Sequence, residues 1–548
     1  MGCTWRLPSA AWSPANFCQL NKTFRNIGQT GATMPKLRTI VPALLIALLP
    51  LLAQAQISMA GAPVGIDLDQ AALTPFYDAR GNQPLWLDAT RQPNDKAIAA
   101  IALLNDADAD GLNPQAYHAR EIGLLAHPQT PAEANSLELL LSDGFATYLH
   151  DQAVGRIPIG PDRDVTFTAE FDKGAMLQNI AGASAEDLKK IVDGLRPAQP
   201  DYAMLRQTLA DLRAQLQAGQ AWQPIPDGPS LKSGMKSPIV PQLRARLGMP
   251  PVTGPGATVF DDRVSGAVQT FQQTHAIKDD GHLGKDTRAA LNMPLESRIA
   301  EVIAAMERWR WLPHDLTQRY VMDNVGGFWT RYVDNGQVQF QLPIIVGREE
   351  RETPLLISTI QDVVLNPSWT VPPTIIKQDV LPGLRKNPNY LASKHLKLYR
   401  RTDDGLEEVS AADYHGGSDY VLRQPPGEEN PLGQYKLQFP NVYSIYMHDT
   451  DEKKKFDAAL RTFSSGCIRV ENVRQMVDVL LAGQVTGDQI DAFLATDKTK
   501  TIRLNDPLPV YIDYFSVWSD PQGHTIFGPD LYGKDVDLAA KVQAVGPE

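Results

Sequence analysis

The apolar residues of this chain change their spacing once, near residue 318, and that change dictates what it can fold into. Upstream they recur three and four positions apart. In the run from Ser136 to Leu141 and on through Phe145, Tyr148 and Leu149 they follow the face of a packed helix. From about 65 to 225 such runs alternate with short loops, which predicts an all-helical domain. The stretch Gln223 to Pro229 holds three prolines and a glycine and marks a boundary. Residues 231–296 then predict a small module of three short helices. Leu243 and Leu247 share one face, Val264, Val268 and Phe271 share another, and Asp280 with Gly281 turns the chain into a last helix ending near Leu291. Ile299, Val302, Ile303 and Met306 stripe a further helix, at 297–314, that stops before Pro313 and is expected to join the modules rigidly.

Downstream the pattern is that of strands. Arg319 to Met322, Val338 to Phe340 and Ile344 to Val346 are β-rich, with turns at Gly326 and Gly327 and at Asn335 and Gly336. Strands return at Ser444 to His448 and at Pro509 to Val517. A β-rich domain is therefore expected over 315–517, interrupted at 376–428 by a polar, proline- and glycine-rich insertion bearing Tyr390, Tyr399, Tyr414 and Tyr420. An insertion of that length inside a compact domain is usually either a functional lid or a mobile segment. Residues 518–548 read as a C-terminal tail. The fold class is multidomain α+β.

From Met34 the chain has the three parts of a secretory signal: Lys36 and Arg38, then an apolar run from Ile40 to Leu52, then Ala53, Gln54 and Ala55. The apolar run is shorter than the about 20 residues a membrane-crossing helix needs, so cleavage is expected after 34–55. An uncleaved signal would instead tether the chain to the inner membrane. Residues 1–33 do not belong to such a signal, so translation is expected to start at Met34. Cys3 and Cys18 would then be lost, leaving Cys467 as the one thiol of the mature chain. A lone thiol in an oxidising compartment risks mispairing, so its presence calls for a chemical reason, although buried free cysteines are common. The net charge of -11 over 548 residues gives no broad positive field, which argues against nucleic acid as the partner.

The neighbours of Cys467 supply the chemical reason. His448 ends a predicted strand, and after 15 intervening residues come Ser464, Ser465, Gly466, Cys467, Ile468 and Arg469. An unassisted thiol is mostly protonated at neutral pH, so an attacking cysteine needs a base, which His448 can supply. Small Ser465 and Gly466 let the backbone turn its N–H groups toward a developing oxyanion. Arg469 can hold a substrate carboxylate by bidentate hydrogen bonds. Behind the motif, Val473, Met476, Val477, Leu480 and Leu481 line one side of a helix, with Asn472 expected as its N-cap and Gly483 as its stop.

These residues resemble the L,D-transpeptidase catalytic family of bacterial cell walls, whose pattern is a histidine, a gap of about fifteen residues, then a small-residue turn with Gly and Cys, and usually Arg or Asn. The resemblance extends to Asn430 through Gly433 to Lys436, to Asn366 through Trp369 to Pro372, and to Val346 and Gly347 with Thr353 and Pro354. It implies a mixed-sheet catalytic domain in which the insertion is a lid and Tyr446, Trp369 and Ser464 join Arg469 around the substrate. Residues 231–296 resemble a peptidoglycan-binding module, and 65–225 the helical scaffold of the large periplasmic type. Where many members carry histidine this chain has Ser465, which leaves His448 as the only obvious base. The implied reaction is a cofactor-free exchange in the periplasm. Cys467 would take a peptidoglycan stem as a thioester and pass it to a diaminopimelate amine, giving a 3-3 cross-link. Attachment of a lipoprotein, trimming by water, and a non-catalytic wall-binding scaffold are the alternatives. Glycan strands, stem peptides and other wall-synthesis enzymes are the expected partners, and carbapenems the expected inhibitors.

Three further patterns are weaker. Ser233 and Lys236 have the spacing of penicillin-binding enzymes but lack the companion motifs. Asp106, Asp108 and Asp110 open like a calcium loop whose twelfth position is Tyr117 rather than a glutamate. Lys453 to Lys455 is flanked by acids and reads as a solvated face. No zinc-binding spacing is present, and no metal is expected.

Overall fold

The computed structural model describes residues 56–61, 63–158, 171–219, 223–314, 316, 318–403, 405–410 and 419–545. The signal-like segment, Cys3, Cys18 and Tyr414 lie outside them. Among the described residues no helix is long and apolar enough to cross a membrane.

The first domain is helical, and its longest helix shows why. Pro131–Val154 opens on a capping box in which Thr130 and Glu133 bond each other's backbone N–H, with Pro131 in the first turn. It ends at Gly155, whose positive φ and tight approach to the Trp311 ring leave no room for a side chain. Glu138 lies in the middle of this helix, fully buried, and accepts from the backbone N–H groups of Leu85 and Trp86 at 2.5 and 3.0 Å and from the Tyr77 hydroxyl at 2.9 Å. The acidic turn at 106–110 has a structural partner set. Asp110 is buried against Arg196 at 2.7 Å and Arg206 at 2.8 Å.

Leu295–Arg310, expected as a linker, is instead a core helix. Val302, Ile303, Ala304, Ala305 and Met306 are buried in the same cluster as the helical domain. Its charged residues from Arg298 onward are buried too, because each has a partner: Arg298 binds Glu301 at 2.8 Å, Arg310 binds Glu307 at 2.8 Å and the Asp110 carbonyl at 2.9 Å, and Arg308 binds Asp535 at 2.6 Å. Asp535 belongs to the region expected as a tail. Residues 518–545 are not a tail, since they complete a hairpin and end in the helix Asp535–Gln543, which buries Leu538, Ala539 and Val542. The small module is formed by Val240–Arg246, Asp262–Gln273 and Lys285–Leu291 around Leu243, Phe260, Val264, Val268 and Leu283. Ser233 there donates to Asp262.

The strands are β1 (Tyr320–Asn324), β2 (Trp329–Asp334), β3 (Gln337–Gly347), β4 (Leu356–Leu365), β5 (Trp369–Thr370), β6 (Lys397–Thr402), β7 (Gly405–Val409) and β8 (Tyr420–Gln424). They continue as β9 (Tyr435–Gln438), β10 (Met447–His448), β11 (Thr462–Ser464), β12 (Ile468–Val470), β13 (Lys500–Asp513), β14 (Val517–Ser519) and β15 (Thr525–Phe527). The main sheet runs β11-β3-β12-β10-β9-β4-β13-β1-β2, and β2 pairs again with β3. Long β3 serves both ends. Its first half pairs with β2 and its second with β12 and β11, so the mixed sheet closes on itself and hides its edges.

One face of this sheet packs on the helix Arg474–Leu480 through Met447, Ile468, Met476 and Val477. On the other face, Met322, Trp329, Tyr511 and Phe515 enter the core of the helical domain, where Trp309 stacks on Phe515 with ring centroids 4.7 Å apart. The insertion is a folded unit that begins earlier than expected, at Trp369. Its sheet, β5-β8-β6-β7, and a helical stretch from 373 to 386 enclose Val371, Val380, Leu391, Leu398 and Leu422.

Candidate active site

The site is built where β9, β10 and β12 lie side by side. Parallel pairing sets Met447 opposite Ile468 and His448 opposite Arg469, and antiparallel pairing sets His448 opposite Lys436. Fully buried Met447, Ile468 and Leu437 face the core, so strand alternation turns Lys436, Tyr446, His448, Cys467 and Arg469 to the other face. The Ile468 N–H donates to the Tyr446 carbonyl at 3.1 Å, which sets Cys467 beside Tyr446.

His448 is buried, and its Nδ1 donates to the Asp449 carbonyl at 2.5 Å. This bond selects the tautomer with Nε2 as a free acceptor. Burial pushes the imidazole down to about 3, aided by the nearby charges of Arg469, Lys436 and Lys453 and opposed by the Asp449 carbonyl, so the ring is neutral at every working pH. Cys467 is half-buried, and burial pushes its thiol above the usual range. Hydrogen bonds from the backbone and hydroxyl of Tyr446 and the charges of Lys436 and Arg469 pull the other way. The thiol therefore rests between Tyr446 and the cations. Among the described residues it has no hydrogen bond to His448; Tyr446 is the residue opposite Cys467, and His448 is its diagonal neighbour on the same face, about 7–8 Å away between Cα atoms.

Around Tyr446 the geometry is explicit. Its ring meets the His448 ring edge-on at 5.5 Å, and the Lys436 ammonium sits 3.9 Å from its centroid. Trp369, which counters the rise that burial imposes on the Tyr446 hydroxyl, lies on β5, whose partner strand is β8, so the insertion's own sheet brings an indole to Tyr446.

The turn before Cys467 differs from expectation in two respects. Gly466 has φ of 109°, a conformation open to glycine, but its N–H donates to the Ser464 hydroxyl at 3.1 Å and is not turned to an oxyanion. Ser464 is buried and also donates to the Cys467 carbonyl at 2.6 Å, so its hydroxyl clamps the turn. Ser465 is exposed and accepts from Arg351 at 2.9 Å, and Arg351 pairs with Asp379 of the insertion at 2.8 Å. Arg469 departs as well: its guanidinium binds Glu452 at 2.6 Å and the Thr450 hydroxyl at 3.3 Å, so a carboxylate from the chain itself holds it.

Some functional positions were not singled out from sequence. Thr353 accepts from the Gly347 N–H at 2.9 Å and donates to the Gly466 carbonyl at 3.0 Å, pinning the turn. Gly433 must be glycine because a Cβ there would strike the Asp449 carboxylate at 2.3 Å. Both lie in stretches that carried the family resemblance, and only the pairing of distant segments shows what they do.

Known proteins agree with this arrangement at the level of domains. Residues 71–209 match the family model described as a scaffold domain, and residues 318–501 match that of the L,D-transpeptidase catalytic domain. A Haemophilus influenzae protein provisionally named an L,D-transpeptidase is 30% identical over 277 residues, covering 49% of this chain and 55% of that protein. The chain thus spans about half the length of that relative. L,D-transpeptidase 1 of Mycobacterium tuberculosis aligns at 12% identity with a TM-score of 0.17, over 36% of this chain and 60% of that one. An L,D-transpeptidase of Xylanimonas cellulosilytica aligns at 13% with a TM-score of 0.18, over 52% and 98%. Overall likeness this low carries no argument. The two family matches place a stretch similar to the L,D-transpeptidase catalytic domain, residues 318–501, on the same chain as a stretch similar to a scaffold domain, residues 71–209.

Proposed function

We propose that the chain is a peptidoglycan L,D-transpeptidase that acts outside the cytoplasm and forms 3-3 cross-links through an acyl-enzyme on Cys467. The observation that carries this reading is a half-buried thiol sharing one sheet face with a neutral imidazole whose Nε2 is free, inside a domain of that family. Sγ attacks the diaminopimelate carbonyl of a tetrapeptide stem, and its proton passes to Nε2 of His448. The C–N bond to the terminal D-alanine breaks, and the proton leaves on its amine. In the second half, a diaminopimelate amine of another stem attacks the thioester and gives a proton to His448, and the sulfur departs and is reprotonated.

The electrostatics suit this route. Burial first, then the charges of Arg469, Lys436 and Lys453, make an imidazolium at 448 a strong acid, so it holds a proton only briefly before the leaving amine takes it. With the Gly466 N–H committed to Ser464, the N–H groups of Ser465 and Cys467 would serve the tetrahedral oxygen. Trp369 and Tyr446 would line the stem.

Incubating the purified chain with disaccharide tetrapeptide and weighing the products tests the reading. Cross-linked dimers with loss of D-alanine are expected, and Cys467→Ala should form none. Tripeptide alone would replace cross-linking by hydrolysis, and a product containing a lipoprotein's lysine would point to attachment. A carbapenem adduct on Cys467 is expected by mass; its absence, with no turnover, would leave a wall-binding scaffold.

A further inference from the structure

The cations around the nucleophile are not equivalent. Arg469 is neutralised by Glu452 at 2.6 Å, and Lys453 pairs with Asp449. Lys436 is half-buried on β9, directly opposite His448, and has no ion pair or hydrogen bond among the described residues. Its described contact is with the Tyr446 ring, 3.9 Å from the ammonium, and Tyr446 in turn stands opposite Cys467 across the pairing of β10 and β12. A half-buried ammonium without a counter-ion is costly to keep, and burial accordingly disfavours its charged form while Cys467 favours it. Such a charge is useful where an anion appears only during turnover.

We propose that Lys436 is a positioning residue for the nucleophile: from the strand beside His448 it seats the Tyr446 ring against Sγ and provides the counter-charge for the thiolate that forms when Cys467 gives up its proton. The proposal deepens the transpeptidase reading, because it assigns the group that makes the thiol of that same site ionisable. The other groups around the sulfur are Tyr446 and His448 from β10 and Arg469 from β12, with Trp369 of β5 beside Tyr446; Lys453, with Asp449 and Glu452, follows β10. Of the three cations, Lys436 is the one whose charge no carboxylate of the described residues balances.

The test is the pH profile of Cys467 alkylation by iodoacetamide in the full chain, with each variant's folding checked by near-ultraviolet circular dichroism. Lys436→Met should move the midpoint up by about one pH unit, the usual effect of removing one nearby opposite charge. Lys436→Arg should restore most of the shift, and Tyr446→Phe should move the midpoint the same way with the lysine intact. A wild-type midpoint in Lys436→Met, or an equal shift in Lys436→Arg, would overturn the proposal. If Lys436→Met does not fold, Lys436→Gln is held to the same criterion. Alkylation needs no stem peptide, so a shifted midpoint in a chain that never acts on tetrapeptide would sink the transpeptidase reading and leave Lys436 in its role.

Discussion

The imidazole of His448 can take a proton only at Nε2, because Nδ1 is spent on the Asp449 carbonyl, and burial among cations keeps the ring neutral down to about pH 3. The thiol, pushed above its usual range by burial, is the member of the pair that titrates on the alkaline side. A raised thiol value means the thiolate fraction grows as pH rises, and no histidine protonation cuts it off on the acid side. Carbapenem acylation of Cys467 should therefore climb through the alkaline range as a single limb. A flat rate from pH 5 to 8 would instead indicate a resting thiolate–imidazolium pair. His448→Ala should lower turnover on tetrapeptide by about a hundredfold or more, the usual scale for a positioned acid–base group; a near-normal rate would mean that another group takes the proton.

At the scale of elements, the turn carrying Cys467 is held from outside. Thr353 ties the end of β3 to the Gly466 carbonyl, and Arg351, from the same connection, reaches both Ser465 and Asp379. Thr353→Val keeps the shape of the side chain and leaves a buried N–H and a carbonyl unpaired, which should cost about 1–3 kcal/mol in urea unfolding. Arg351→Ala breaks a partly exposed ion pair worth at most about 1 kcal/mol, so stability should hardly move. It also unties the insertion from the nucleophile's turn, and limited proteolysis between 373 and 424 should quicken. Unchanged cleavage would show that Trp369 and the strand pairing alone hold the insertion.

Across the whole molecule, the helical domain and the catalytic sheet share one hydrophobic core, and the last helix completes it. A chain ending at residue 517 would strip Asp535 from buried Arg308, and removing one partner of a buried pair costs about 3–5 kcal/mol. Thermal unfolding of that truncation should occur well below that of the full chain; an unchanged midpoint would mean the shared core is not cooperative. Two buried acids add a pH signature. Burial raises Glu138 and Asp323 to about 7, so in the folded chain both take up protons well above their ordinary values. Their burial penalty is present above about pH 7 and fades as pH falls toward the ordinary carboxylate range, so the stability of Glu138→Gln relative to wild type should be higher at pH 8 than at pH 5, on top of a pH-independent loss from the backbone N–H that the amide cannot accept.

Helical and strand periods, the proline-rich boundary and the spacing of His448 from Cys467 are properties of short stretches, and the sequence by itself determined them: a helical domain, a three-helix module, a strand-rich domain and a thiol with a base. What a residue touches across the fold is different, because it depends on which strands become neighbours. Lys436 meets Tyr446 only once β9 lies beside β10, and Arg469 finds Glu452 only when the segment after β10 folds back toward β12. The helix at 295–310 and the segment after 517 likewise look peripheral in sequence. Tertiary structure made them core, since a charged residue can be buried only where a distant partner is brought to meet it.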